Sequence, residues 1–291
     1  MTYLRLVRYP NLFIVILTLL LPLLSKQLEI NILYLSLLLV FTICIAAAGY
    51  VVNDIFDLEI DKINKPEKVI IGEKITEKQA WQFYFLLNGI AFLIAVAQDF
   101  FYQKVKLIAI FLITILVLFA YAKWLKKTLL LGNFIVSALC ALTPAMLLIC
   151  WAELTQNASD NFPKHLDFFI NFSFLITFFR EIIKDIEDIE GDKLQGAKTL
   201  PIVAGITSSK IIASLFLLLL LFQVFILSTG IKASEFDTSR TLSNYYAFIF
   251  IEIPIIALLF LLAKAKYKTH YTNLSFFTKI LMLLGLFYLI F

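Results

Sequence analysis

Long runs of apolar residues alternate with short polar segments along the whole chain. Nine runs are long enough for membrane-spanning helices, because about 20 apolar residues cross a bilayer. They cover residues 9–25, 31–53, 80–98, 105–122, 130–152, 166–183, 209–229, 244–263 and 272–291. The first run is short and follows two arginines, as in a secretory signal peptide. No small-residue cleavage pattern comes after it, however, so we interpret it as a membrane span. The pattern predicts one all-α, polytopic membrane domain over 1–291, a bundle of nine helices around a central cavity.

The composition agrees with a membrane protein. Hydrophobic residues make up 61% of the chain, whereas soluble domains have about 45–50%. Intrinsic disorder is excluded because it requires few apolar residues and high net charge. The three cysteines lie in apolar runs and indicate no disulfide framework. The basic residues are spread over several loops, so the net charge of +4 indicates neither a nucleic-acid partner nor an obligatory protein partner.

The distribution of lysine and arginine predicts the orientation of the spans. Eighteen of the 25 basic residues lie in the N-terminal segment and in the even-numbered loops. Because cytoplasmic loops are enriched in positive charge, these segments are predicted to be cytoplasmic. The C-terminus is then on the outer side of a bacterial or archaeal-type cell membrane.

The acidic residues are concentrated in two of these cytoplasmic segments, which hold 13 of the 21 carboxylates. Each segment follows an even-numbered span and contains the same spacing, D-x-x-D-x-x-x-D. The first triplet is Asp54, Asp57 and Asp61; the second is Asp185, Asp188 and Asp192. The two copies are 131 residues apart and have the same predicted polarity. This predicts a parallel pseudo-repeat of about four helices.

In a helix, positions i, i+3 and i+7 share one face, so each triplet is expected to present three carboxylates together. Glu59 and Glu190 fall off that face and are expected to be solvated, whereas Glu181 shares it. Charged residues near a membrane are costly and require a wet cavity or cations. Mg²⁺ takes one or two carboxylates together with water and substrate phosphate. Two facing triplets therefore indicate Mg²⁺ ions that clamp a diphosphate in one cytoplasmic pocket.

Basic and polar residues near the triplets are candidates for binding that diphosphate. They are Asn53, Lys65, Lys68, Lys126 and Lys198. Alternatively, each lysine serves only to set the topology, and Asn53 only satisfies backbone groups at a helix end. The 44 aromatic residues include candidates for lining a polyisoprenoid site, although most are expected to face lipid.

The segment from Asn53 to Pro66, NDIFDLEIDKINKP, resembles the first aspartate motif of the UbiA superfamily of intramembrane prenyltransferases, and the second triplet is similar to the second motif of that family. The segment Tyr121–Lys126 together with Gly132-Asn133 also resembles the family, as do Arg8–Asn11 and Lys198-Thr-Leu-Pro. The stretch from Arg180 to Asp192 is more similar to the branch of digeranylgeranylglyceryl phosphate synthases. After Pro66 the family often has two more prolines and an arginine. Lys68 keeps the charge there but lacks the guanidinium fork.

The resemblance implies transfer of a prenyl group from a prenyl diphosphate, such as geranylgeranyl diphosphate, to a lipophilic acceptor. It implies that the six triplet aspartates bind Mg²⁺, with one of them a candidate base, and it adds Tyr121 and Asn11 as diphosphate-binding candidates. Geranylgeranylglyceryl phosphate is the preferred acceptor. An aromatic or quinone precursor of the 4-hydroxybenzoate type and a haem or chlorin acceptor remain alternatives.

Two hypotheses from other classes remain open. Acidic residues in spans also occur in divalent-cation or solute transporters. The acids of this chain, however, lie at helix ends on one side, with no matching set at mid-span. The remaining hypothesis is a membrane scaffold without catalytic activity.

Overall fold

The computed structural model describes residues 1–24, 29–64, 66–155, 166–194, 196–229 and 238–290. Within them the fold is helical, with a single isolated bridge between Ile71 and Ile75. The α-helices are α1 Thr2–Leu6, α2 Tyr9–Leu24, α3 Ile32–Phe56, α4 Leu58–Asn64, α5 Glu77–Phe101, α6 Lys106–Lys123, α7 Leu131–Ile149, α8 Trp151–Leu154, α9 Leu166–Glu187, α10 Ile189–Leu194, α11 Leu200–Val203, α12 Gly205–Thr229, α13 Thr238–Ala247, α14 Ile253–Lys264 and α15 Lys268–Phe287. Short 3₁₀ segments are Pro66–Lys68, Leu125–Lys127 and Tyr288–Ile290, and Phe248–Glu252 is a π-helical turn.

A helix lies over each of the nine predicted segments in the part of the chain that the structure describes. Six helical stretches there are long and apolar enough to cross a membrane, namely Ile32–Phe56, Glu77–Phe101, Lys106–Lys123, Leu131–Ile149, Gly205–Ser228 and Leu242–Lys264. Tyr9–Leu24 is a shorter apolar helix. An integral, multi-pass, all-helical membrane protein is therefore confirmed, whereas the number nine stays a prediction.

The chain divides into two compact units. The first contains Met1–Leu19, Leu28–Thr128 and Met146–Phe162. In it α3, α5 and α6 pack against one another, and the small residues Ala47 and Ala48 of α3 lie buried in the core. Gly49 continues this stretch of small residues. A Cβ atom at Gly49 would lie only 3.1 Å from Leu118 of α6, so α3 and α6 are in close contact there.

Polar side chains fix the helix ends of the first unit. Asn31 accepts a hydrogen bond from the Tyr34 N–H and caps α3, and Thr76 begins α5 with a capping box. The buried Asp99 carboxylate accepts hydrogen bonds from two N–H groups in the first turn of α6. These contacts satisfy backbone donors that a helix start leaves unpaired.

The second unit contains Leu20–Gln27, Leu129–Ala145 and Pro163–Phe291. Helix α9 lies at its centre and packs against α12 and α15. The rings of Phe178 and Phe216 stack with centroids 4.0 Å apart, and Phe172 packs directly on Gly285. The Gln223 side chain donates to the Phe168 carbonyl 3.2 Å away. Helix α9 therefore has a closely packed environment on several faces, and its C-terminal end carries the second aspartate triplet.

Candidate active site

Each aspartate triplet spans a junction between two helices. Helix α3 ends at Phe56 and α4 begins at Leu58, so Asp57 lies at the interruption. In the second unit α9 ends at Glu187 and α10 begins at Ile189, which places Asp188 at the corresponding position. Each triplet therefore extends over two successive helices in the structure.

The helical hydrogen-bond register nevertheless continues through both junctions. The N–H of Asp57 donates to the Asn53 carbonyl, and the N–H of Asp61 donates to the Asp57 carbonyl. Asp188 and Asp192 donate in the same way to the carbonyls of Lys184 and Asp188. The two motifs thus share one local structure, a deviation of the backbone at the middle aspartate without loss of register.

The acidic residues between the triplet positions behave as the spacing predicts. Glu59 and Glu190 are both exposed, whereas all six triplet aspartates are half-buried. Glu59 forms an exposed ion pair with Lys62, 2.8 Å away. The partly buried carboxylates are therefore those that the spacing places on a common face.

Asn53, Asp57 and Lys126 form a hydrogen-bonded group in the first unit. The Lys126 ammonium donates to Asp57 Oδ1 at 2.5 Å and to Asn53 Oδ1 at 3.2 Å. The Asn53 amide donates to Asp57 Oδ2 at 2.7 Å. The side chains of Lys126 and Asp57 are only 13% and 16% exposed. Burial lowers the pKa of Lys126, and the Asp57 carboxylate offsets part of this effect.

Arg8 neutralises the first aspartate of the same triplet. Its guanidinium donates to Asp54 Oδ1 at 2.7 Å and lies 5.0 Å from the centroid of the Tyr50 ring. Because Asp54 and Asp57 have different cationic partners, the repulsion between these two carboxylates is compensated separately at each position.

In the second unit an amide contacts the corresponding first aspartate. The Asn133 side chain, in the first turn of α7, donates to Asp185 Oδ2 at 2.8 Å. Asn133 is itself buried, and its carbonyl accepts a hydrogen bond from Ser137. One turn before Asp185, Glu181 forms ion pairs with Arg180 and Lys184 at 3.2 and 2.9 Å. Glu181 therefore lies near the triplet, as predicted, and has its own cationic partners.

The structure brings together only part of the predicted diphosphate site. Lys126 and Asn53 contact the first triplet directly, as described above. Lys198 is exposed in the segment between α10 and α11. The others are placed as follows: Asn11 in α2, Tyr121 in α6 and Lys68 in the 3₁₀ segment Pro66–Lys68. The prediction for Lys65 lies outside the described residues.

Arg8 and Asn133 are site residues that the sequence places in segments resembling the family but to which it assigns no role in the site. Arg8 contacts Asp54 from 46 positions away in the sequence, and Asn133 contacts Asp185 across 52 positions. The resemblance of the two segments does not identify the partner of either residue.

The donor set of the triplets suits Mg²⁺, because every candidate ligand is a half-buried carboxylate oxygen. Among residues the structure describes, no three acidic, histidine or cysteine side chains converge closely enough to hold a metal ion by themselves.

Apolar helices and two half-buried aspartate motifs at helix ends define a helical membrane protein with a candidate site at each motif. The sequence pattern of the UbiA prenyltransferase family matches residues 14–283. The chain belongs to this family.

Proteins named digeranylgeranylglyceryl phosphate synthase are similar in sequence. The protein from Sulfolobus acidocaldarius is 39% identical over 180 residues, which cover 61% of this chain and 60% of that protein. The protein from Methanothermobacter thermautotrophicus is 33% identical over 218 residues, covering 75% and 72%. The chain thus spans about three fifths of the length of the first of these relatives.

Solved structures have the same fold. A structure of digeranylgeranylglyceryl phosphate synthase has a TM-score of 0.69 at 31% identity, covering 99% of this chain and 96% of that one. A UbiA homolog from Archaeoglobus fulgidus, bound to GPP and Mg²⁺, has a TM-score of 0.62 and covers 98% of both chains. At 12% identity, the second comparison shows the fold alone.

Proposed function

We propose that this protein catalyses the Mg²⁺-dependent transfer of a prenyl group from a prenyl diphosphate to a lipophilic acceptor in the membrane, and that the acceptor is geranylgeranylglyceryl phosphate. The observation that carries the proposal is the pair of aspartate motifs with the same local structure, each with carboxylates held by a cation or an amide. Support for the substrates comes from the relatives named digeranylgeranylglyceryl phosphate synthase and from the homolog bound to GPP and Mg²⁺.

The residues that would hold Mg²⁺ are the six triplet aspartates, Asp54, Asp57, Asp61, Asp185, Asp188 and Asp192. Bound Mg²⁺ would supply positive charge for the leaving diphosphate. Lys126 and Asn53 would bind diphosphate oxygens, because their donor groups already lie beside Asp57. Arg8, which is paired with Asp54, would supply a second positive charge near the diphosphate. The remaining candidates are Lys65, Lys68, Lys198, Tyr121 and Asn11.

The reaction exchanges one carbon–oxygen bond for another. The bond between the allylic carbon and the diphosphate oxygen breaks, and its electron pair leaves with the diphosphate. The acceptor hydroxyl oxygen then bonds to the allylic carbon and loses its proton, for which one of the triplet aspartates is the candidate base. Apolar surroundings protect the allylic cation from water.

The proposal includes the arrangement of the chain in the membrane. We propose nine spans in one domain over 1–291, with a pseudo-repeat of about four helices. The shared helix junction at Asp57 and Asp188 supports the repeat. The concentration of basic residues in the N-terminal segment and even-numbered loops supports a cytoplasmic N-terminus and cytoplasmic site loops.

The test combines purified protein, Mg²⁺, labelled geranylgeranyl diphosphate and a panel of acceptors, with product mass as the readout. We expect a product from geranylgeranylglyceryl phosphate that is lost in Asp57→Asn and in Asp188→Asn. Glu59→Gln and Glu190→Gln are matched controls, because both residues lie in the motifs but are exposed, and they should retain activity. Normal turnover in both aspartate variants would overturn the proposal. Product only from aromatic acids would overturn the choice of acceptor.

A further inference from the structure

A compact ionic group lies on α9, in the turn that precedes the second triplet. Glu181 contacts the Arg180 guanidinium at 3.2 Å and the Lys184 ammonium at 2.9 and 3.0 Å. The Glu181 side chain is 10% exposed, and those of Arg180 and Lys184 are 17% and 29% exposed. The acid is thus enclosed, while both basic groups retain some accessible surface.

Glu181 pairs with both cations, and Asp185 directly follows Lys184, so the charges of the group are balanced locally. The Arg180 Nε–H, however, is buried and has no hydrogen-bond acceptor among the described residues. A buried donor without an acceptor costs about 1–3 kcal/mol, and ionisable residues in membrane helices generally mark functional sites. This unused donor, beside two cations that retain accessible surface, indicates an anionic ligand.

The distance between the ionic group and the second triplet indicates which kind of anion would bind there. Lys184 is adjacent to Asp185, and Arg180 is five residues before it, which corresponds to about 7.5 Å along a helix. In an acceptor built on glycerol with one phosphate and one ether-linked chain, at most the three glycerol carbons separate the remaining hydroxyl from the phosphate. An anion held here therefore keeps such a hydroxyl close to the second aspartate motif.

We propose that Arg180 and Lys184 bind the phosphate of the acceptor lipid, and that this phosphate replaces part of their pairing with Glu181. This inference rests on the proposed prenyl transfer and assigns residues to its acceptor. Arginine suits this role because its planar fork pairs with phosphate oxygens bidentately. The same cationic chemistry would also suit the donor diphosphate, so the test separates the two phosphate sources.

The experiment compares the acceptor phosphate with an acceptor from which it has been removed. For wild type, Arg180→Gln and Lys184→Gln, KM is measured for geranylgeranylglyceryl phosphate, geranylgeranylglycerol and geranylgeranyl diphosphate. We expect Arg180→Gln to raise the KM for the phosphorylated acceptor by at least tenfold and that for the donor by less than twofold. The KM for geranylgeranylglycerol should be unchanged. Arg180→Lys should recover part of the loss, and Lys193→Gln, an exposed neighbour, should match wild type.

Glu181→Gln should strengthen the binding of the phosphorylated acceptor, whereas Arg180→Gln should weaken it. Removing the competing carboxylate frees both cations, so the Kd for the phosphorylated acceptor, measured without donor or Mg²⁺, should fall severalfold. Equal losses with both acceptors in Arg180→Gln, or a raised donor KM with an unchanged acceptor KM, would overturn the assignment. This Kd also separates the two proposals. Absence of prenyl transfer by wild type would contradict the proposed function. Equal binding of the phosphorylated and dephosphorylated acceptors by wild type would contradict the assignment of Arg180 and Lys184.

Discussion

The Lys126 ammonium donates to the Asp57 carboxylate at 2.5 Å, which joins the segment after α6 to the interruption between α3 and α4. Both side chains are largely buried, and Asn53 contacts both of them. The central aspartate of the first motif thus has a cation and an amide as neighbours. Substitutions at this contact, and at other buried polar or closely packed contacts, should change the stability or the activity of the protein.

Lys126→Met should lower both stability and activity. The substitution leaves the Asp57 charge without its partner, and breaking a buried ion pair costs about 3–5 kcal/mol. We expect a lower melting temperature in detergent and a higher KM for the prenyl diphosphate. Lys123→Gln is the matched control, because Lys123 is an exposed lysine at the end of α6. If Lys126→Met raised stability and left the donor KM unchanged, the proposed role of this residue would be wrong.

Asn133→Leu should affect the second motif in a similar but weaker way. It removes the amide that donates to Asp185 at 2.8 Å, and hydrogen bonds to charged groups contribute about 1.5–3 kcal/mol. Turnover should fall, and the Mg²⁺ concentration for half-maximal activity should change because Asp185, a proposed Mg²⁺ ligand, loses its orientation. In Asn171→Ala, which removes an exposed asparagine of α9, both quantities should be unaltered. An unchanged Mg²⁺ dependence in Asn133→Leu would argue against a positioning role.

Lys106 and Glu153 should contribute to stability without contributing to catalysis. Their side chains pair at 2.7 Å, and the Lys106 ammonium also donates to the Ile149 carbonyl. Lys106→Met leaves Glu153, which is 7% exposed, without its partner and should destabilise the fold by about 3 kcal/mol. The double variant with Glu153→Gln should recover much of the loss, because the buried charge is then removed. Thermal unfolding measures both effects, and the kcat of the folded fraction should equal that of wild type.

Gly285→Ala should destabilise the second unit. A Cβ atom at this position would lie 2.3 Å from Cζ of Phe172, and such overpacking costs about 1–3 kcal/mol. Gly89→Ala is the control, because nothing lies within 4 Å of a Cβ atom there and alanine favours a helix over glycine by about 1 kcal/mol. Phe172→Leu should partly rescue Gly285→Ala by making space. Equal melting temperatures for the two glycine variants would contradict the packing seen here.

The apolar runs predict where the helices lie because helix formation and membrane burial depend on local composition. The repeated spacing likewise identifies the half-buried aspartates and separates them from Glu59 and Glu190, since side chains three, four and seven residues apart share a helix face. The interruption at Asp57 and Asp188 was not predicted, because the i→i−4 register continues through it and the periodicity is the same with or without it.

The sequence by itself determined the all-helical membrane class, the two acidic motifs and the oxygen ligands that suit Mg²⁺, because these follow from residue type and near-neighbour spacing. Only the tertiary structure decided which residues accompany the acids. Lys126 contacts Asp57 across 69 positions and Arg8 contacts Asp54 across 46. In the sequence, the lysines and arginines that pair with these acids look the same as those that do not. Packing of α3 against α6 and against α1 selects the few whose charges compensate a buried carboxylate, since burial is what makes an uncompensated charge costly.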